Sequence, residues 1–168
     1  LLIWTPILGG TWVLYVGDRQ ETTVKYLSLS VSIITFLMSV YLYSLFDTST
    51  HLLQFTEKIL WIDAFNINYH IGIDGIALPL ILLTTFTTVL VILAAWEVIE
   101  HRVSQYMASF LILAGLMNGV FAAVDAMLFY FFWEAMLIPM FLIIGIWGGS
   151  NRVYATIKFF LYTFLGSV

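Results

Sequence analysis

The chain has 168 residues, 62% of them hydrophobic and only 10% charged, with a formal net charge of −4, no cysteine and a mean hydropathy of +1.02. That mix is far from a water-soluble domain and places the chain in a lipid bilayer. The missing cysteines exclude disulfides and thiolate-held iron–sulfur or structural zinc sites. With no basic patch and no Gly-rich phosphate loop, there is no footing for a nucleic-acid or nucleotide partner.

In chain order, the apolar stretch 1–16 reads as a first transmembrane helix ending near Gly17, followed by the polar link Asp18-Arg19-Gln20-Glu21. A second helix, 25–46, carries Ser28, Ser30, Ser32, Thr35 and Ser39, groups suited to bonding their own backbone or a neighbouring helix. The long polar excursion from Asp47 to Asp74 alternates apolar and polar residues between Phe65 and Ile73, the period of a half-buried strand. An extended or hairpin element is therefore expected around 61–73, lying against the membrane face. Asp74 is placed to cap the third helix, 75–97, with its carboxylate.

Glu97, Glu100, His101 and Arg102 link to the fourth helix, 103–124, where Gly115 and Gly119 form a G-x-x-x-G spacing beside Asn118, read as a close helix contact. Asp125 complements the dipole of a fifth helix, 125–147, and a sixth occupies 152–168. Uncharged stretches of about 20 residues or more are long enough to cross a hydrocarbon core. The fold class is all-α, a polytopic transmembrane bundle of about six helices in a single membrane domain, 1–168. The absence of an initiating Met and the end inside an apolar run are what a piece of a longer chain would show. Arg19, Lys25, Arg102 and Arg152 follow odd-numbered helices, against Lys58 alone after the even ones, which places the N-terminus and the long excursion outward.

Glu134 is the one charge between Ala126 and Trp147, about 15 Å along the helix axis from Asp125. A carboxylate near the bilayer midplane costs roughly 2.5 to 3.5 kcal/mol on insertion scales, and a short glutamate cannot snorkel out. It must stay protonated as a structural acid, pair with a base, or touch a hydrated cavity. Pro139, five residues on, has no N–H for the Ala135 carbonyl, which leaves either a kink or a seat for water. Lys158, about six residues into the last helix, either runs its stem to the interface or offers a second proton-carrying group in the same interior. An acid and a base on successive helices are two members of the kind of series a proton relay requires.

The segment Asp125-Ala126-Met127-Leu128-Phe129-Tyr130-Phe131-Phe132-Trp133-Glu134-Ala135-Met136-Leu137-Ile138-Pro139-Met140, then Ile146-Trp147-Gly148-Gly149 and Lys158-Phe159-Phe160-Leu161-Tyr162-Thr163, resembles the antiporter-like M subunits of NADH:quinone oxidoreductase, respiratory complex I. The mitochondrial counterpart is subunit 4, and Ile73-Asp74-Gly75-Ile76 with the polar element before it is similar as well. The resemblance runs over the whole chain, and F-x-W-E-x-x-x-x-P is its most discriminating part.

The resemblance implies about fourteen helices in two inverted five-helix repeats, of which this chain would hold the first six helices. It implies that Glu134 pairs with a lysine on a seventh helix and helps gate proton entry, and that Lys158 matches a family lysine on the sixth. NADH, FMN, iron–sulfur clusters and quinone would sit on partner subunits, with no cofactor here. The partners would be other membrane-arm subunits, lipid and protons, in a bacterial inner membrane or a mitochondrial one. A multisubunit sodium/proton antiporter, a membrane-bound hydrogenase and a non-pumping scaffold remain as alternatives.

Overall fold

The structure, a computed structural model, describes residues 1–63 and 67–167. Its helices are α1 (Trp4–Val16), α2 (Glu21–Leu45), α3 (Ala77–Val98), α4 (Val103–Ala122), α5 (Ala126–Ala135), α6 (Leu137–Trp147) and α7 (Arg152–Ser167), with strands β1 (Gln54–Ile62) and β2 (Ile67–Ile73) between α2 and α3. Four segments are long and apolar enough to cross a bilayer: Asp18–Leu45, Ala77–Val98, Val103–Ala122 and Ala126–Trp147. The helical bundle read from the sequence is therefore present, with corrections to its boundaries.

The first helix begins at Trp4 rather than residue 1, and its 13 residues are shorter than the four spans. The second begins at Glu21, not 25, because a 3-10 turn over Asp18–Gln20 leads straight into it. The third is shifted to 77–98, and the fourth stops at Ala122, since Ala123 turns extended and bridges to Ile71. The fifth, expected as one helix over 125–147, is divided at Met136 into α5 and α6. The last is described over 152–167.

The hairpin is larger than expected. Its first strand starts at Gln54, well before residue 61, and pairs antiparallel with β2 through Lys58 opposite His70 and Ile59 opposite Tyr69. Register shifts between Gln54 and Glu57 and between Leu60 and Ile62 break the alternation that would have revealed β1. Phe65 and Asn66, the start of the predicted alternation, lie outside the described residues.

The hairpin is fastened to one end of the bundle. Trp4 Nε1 donates to the Tyr69 hydroxyl at 3.2 Å, and Val124 N donates to His70 O at 2.9 Å. The opposite end gathers Arg19, Lys25, Arg102 and Arg152. There Asp18 Oδ1 caps α4 from another element by accepting from Ser104 N at 2.8 Å, and Lys25 Nζ donates to Trp96 O at 2.6 Å.

The middle of the bundle is α4, which packs against α1, α2, α3, α5, α6 and β2. It is the least apolar of the four spans and the most buried, 61% of its apolar window against 33% or less for the others. Lipid is as apolar as a leucine core, so close packing of small residues rather than hydrophobicity draws transmembrane helices together. A Cβ at Gly115 would lie 2.5 Å from Ile3 O of the turn entering α1, and one at Gly10 would lie 2.9 Å from Ala108 O. The two glycines of the G-x-x-x-G spacing thus serve different neighbours: Gly115 admits the α1 backbone, while Gly119 faces the Phe132 ring of α5. Between them Asn118 donates from Nδ2 to Leu2 O at 3.1 Å.

Of Ser28, Ser30, Ser32, Thr35 and Ser39 on α2, four bond their own helix backbone as expected, whereas the buried Ser28 Oγ has no hydrogen-bond partner among the described residues. Ser28, Ser32, Thr35 and Ser39 are buried, Ser30 is exposed, and Ser39 Oγ meets Thr85 Oγ1 of α3 at 2.8 Å. Interhelical hydrogen bonds of this kind in a bilayer average about 0.6 kcal/mol, because the separated helices also find partners. Ser39→Ala is accordingly expected to lower stability by about 0.6 kcal/mol, read as a small fall in the thermal unfolding midpoint in detergent.

Candidate functional site

The fifth span starts on a firm cap. Asp125 Oδ1 accepts from Met127 N at 2.9 Å and Leu128 N at 3.2 Å, while Oδ2 accepts from Asn68 N of β2 at 3.3 Å. One carboxylate therefore satisfies the helix end and ties the hairpin to it. Asp74 likewise accepts at the start of α3, from Ile76 N at 3.0 Å and Ala77 N at 2.7 Å.

The Leu128 N–H is the largest cause holding the Asp125 carboxyl below the usual carboxylate range; partial desolvation opposes it, and the N–H groups of Asn68 and Met127 and the nearby His70 reinforce it. A lowered folded pKa contributes stability that is present above the unfolded value, about 4, and lost as pH falls through the folded one. The protection of the Met127 and Leu128 amides against hydrogen exchange, relative to their intrinsic rates at the same pH, is expected to fall below about pH 4, and in Asp125→Ala it is expected to be low at neutral pH as well.

From this cap Glu134 is carried about 12 Å along α5, eight residues past Ala126. It is the penultimate residue of α5, and the helix is interrupted just after it. At the interruption Met136 N–H donates to Phe132 O at 3.1 Å, and Met140 N–H reaches Met136 O at 3.3 Å. Pro139 has no N–H to complete the ladder to Ala135, which is the reason the helix divides here.

Glu134 is half-buried and lines a cleft of about 490 Å³ with Trp61, Ile67, Tyr130, Phe131 and Ile138. Trp61 of β1 sits edge-on to Phe131 at 5.4 Å, so the hairpin forms one wall of the acid's surroundings. The hydroxyl of Ser167, on α7, is hydrogen-bonded to Glu134 Oε1. Lys158 is exposed, its Nζ 5.5 Å from the Tyr154 ring centre and 5.8 Å from that of Tyr162. It stands nine residues, about 14 Å along α7, from Ser167. Among the described residues no ion pair joins it to Glu134, so the two predicted site residues are not brought together. Ser167 escaped the sequence reading because a serine 33 positions away on another helix carries no signal of such a contact.

The profile described as "NADH-ubiquinone oxidoreductase chain 4, amino terminus" matches residues 19–122, well over half of the chain. The chain belongs to the NADH-ubiquinone oxidoreductase chain 4 family. A second profile, "NADH:quinone oxidoreductase/Mrp antiporter, TM", matches residues 123–168. The boundary between the two falls where α4 ends, and the second part holds both Glu134 and Lys158.

Among chain 4 relatives, NADH-quinone oxidoreductase subunit M of Rhodobacter capsulatus is 51% identical over 152 residues, covering 90% of this chain and 29% of that protein. NADH-ubiquinone oxidoreductase chain 4 of Arabidopsis thaliana is 43% identical, covering 99% of this chain and 34% of its own. The chain thus spans about a third of the length of the curated relatives it matches. A solved structure of respiratory complex I from Thermus thermophilus with bound NADH contains a chain that superposes with a TM-score of 0.85 over 100% of this chain and 33% of that one, at 27% identity. A chain of the archaeal membrane-bound sulfane sulfur reductase shares the fold, with a TM-score of 0.78 at 18% identity.

Proposed function

We propose that this chain is part of a proton-translocating membrane-arm subunit of NADH:quinone oxidoreductase, with Glu134 as a proton-carrying group. The observation that carries this reading is a lone carboxylate inside the span Ala126–Trp147, at a helix interruption and on the wall of an open cleft. In a low-dielectric interior its charge state responds to nearby charge over several ångströms. A group that gains or loses a proton when a neighbour's charge changes is the elementary unit of a coupled pump.

In this reading electrons pass from NADH to quinone through FMN and iron–sulfur clusters on partner subunits, and the charge changes reach this chain through adjoining membrane-arm subunits. Lys158 is the second proton-carrying group, contributing through contacts with the rest of the subunit. The whole subunit has about fourteen helices in a bacterial plasma membrane or a mitochondrial inner membrane. The basic end of the bundle faces the cytoplasm or matrix, and the hairpin and N-terminus face outward.

The antiporter wording of the second matching profile favours one other reading, a subunit of a multisubunit sodium/proton antiporter. Copurification with flavin- and iron–sulfur-bearing subunits selects the oxidoreductase, and their absence selects the antiporter. The relay itself is tested by proton pumping of the assembled complex carrying Glu134→Gln.

A further inference from the structure

We propose that Ser167 is a positioning residue for Glu134, its hydroxyl turning between the Glu134 carboxyl and the Phe164 carbonyl as Glu134 gains or loses its proton. This rests on the reading of Glu134 as a proton-carrying group. Ser167 Oγ lies within bonding distance of two acceptors: Glu134 Oε1, and Phe164 O at 2.9 Å. A serine hydroxyl has one proton to donate and can accept through its lone pairs, whereas a backbone carbonyl can only accept.

A serine proton shared between two acceptors gives two weak three-centre bonds, so both contacts can be full two-centre hydrogen bonds at once in only one way. Serine gives its proton to Phe164 O, and the carboxyl, being protonated, donates its own to Ser167 Oγ. Once Glu134 is ionised it has no proton to give. The Ser167 proton then turns to the carboxylate, and the Phe164 contact is released. Serine keeps its own proton in both states; the proton that Glu134 gives up passes to water entering the open cleft beside it and returns by the same route. Bonds to a charged acceptor are about twice as strong as neutral ones, which makes the reorientation favourable when the charge appears.

The surroundings leave this hydroxyl as the polar partner of the acid. From α5 the cleft presents Met127, Tyr130, Phe131 and Ala135, from the hairpin Trp61, Ile62 and Ile67, and from α6 Ile138. Tyr130 is the one other titratable side chain among them. On α7 Lys158 lies over Tyr154 and Tyr162, and Asp125 is engaged at the start of α5. The arrangement joins α7 to the site of interruption between α5 and α6 through a bond whose direction depends on one proton.

The test is a pH-difference infrared spectrum of the assembled complex. The Glu134 carboxyl band is assigned by its loss in Glu134→Gln. Removing the hydroxyl in Ser167→Ala is expected to displace that band, because the carboxyl loses its hydrogen-bond partner. Ser167→Thr is expected to restore its position, while Ser167→Val, close to threonine in shape, is expected to behave as alanine does. An unchanged band in Ser167→Ala and Ser167→Val, or no Glu134 band in the difference spectrum, would overturn the proposal. Normal pumping in Glu134→Gln with a displaced band in Ser167→Ala removes the relay reading and supports the hydroxyl pairing.

Discussion

Glu134→Gln is expected to cut proton translocation by the assembled complex about a hundredfold, the lower end of what a lost proton-transfer group costs, while assembly stays at its normal level. The amide matches the carboxyl in size and still accepts a bond from Ser167, so packing of α5 against its neighbours is retained. What it loses is the ability to change charge. In the low-dielectric span that ability is the property by which a neighbouring charge could be felt and passed on. Pumping measured in vesicles, normalised to the amount of assembled complex, decides the matter. Undiminished pumping would leave Glu134 a structural acid with no part in the relay.

Gly115→Leu is expected to have the opposite signature, loss of the assembled subunit rather than loss of a step. A Cβ there would stand 2.5 Å from Ile3 O, 2.6 Å from Ile7 Cγ1 and 3.1 Å from Pro6 Cγ. The nearest obstacle is backbone, so relief requires α1 to move away from the helix on which it packs most extensively. Overpacking typically costs about 1–3 kcal/mol, and leucine exceeds the alanine minimum by three further carbons. Gly119→Ala meets the Phe132 ring at 2.8 Å instead, which can shift with its side chain, and is expected to be milder. Native gel electrophoresis, with the subunit followed by antibody, is expected to show Gly115→Leu depleted and Gly119→Ala present. Normal assembly of Gly115→Leu would mean that the α1 to α4 contact does not set stability.

The two variants separate what the chain announces from what folding assembles. Glu134 stands out in the sequence because the cost of a charge in hydrocarbon depends on composition within one helix. The caps at Asp74 and Asp125 are equally local, each carboxylate reaching amides two and three residues ahead. Pro139 likewise foretold a disturbed helix, since a missing N–H acts on the carbonyl four residues before it. The break at Met136 bears out that local logic even though it divides the helix expected over 125–147.

The partners of these residues were hidden. A bilayer surrounds every helix with the same apolar solvent, so hydropathy marks a span but does not say which side of it meets another helix. That is why α4 emerges as the central helix, why Gly115 and Gly119 face different neighbours, and why Asp18 caps a helix 86 residues away only once the bundle is formed. By itself the sequence determined the membrane spans, the local carboxylates that open α3 and α5, one edge of the hairpin and the isolated acid, because each follows from free energies summed over a few adjacent residues. Tertiary structure alone decided the bulged strand β1, the Trp61 wall beside Glu134, the separation of Lys158 from it and the Ser167 contact. Those depend on approach between distant segments, which local chemistry permits without specifying.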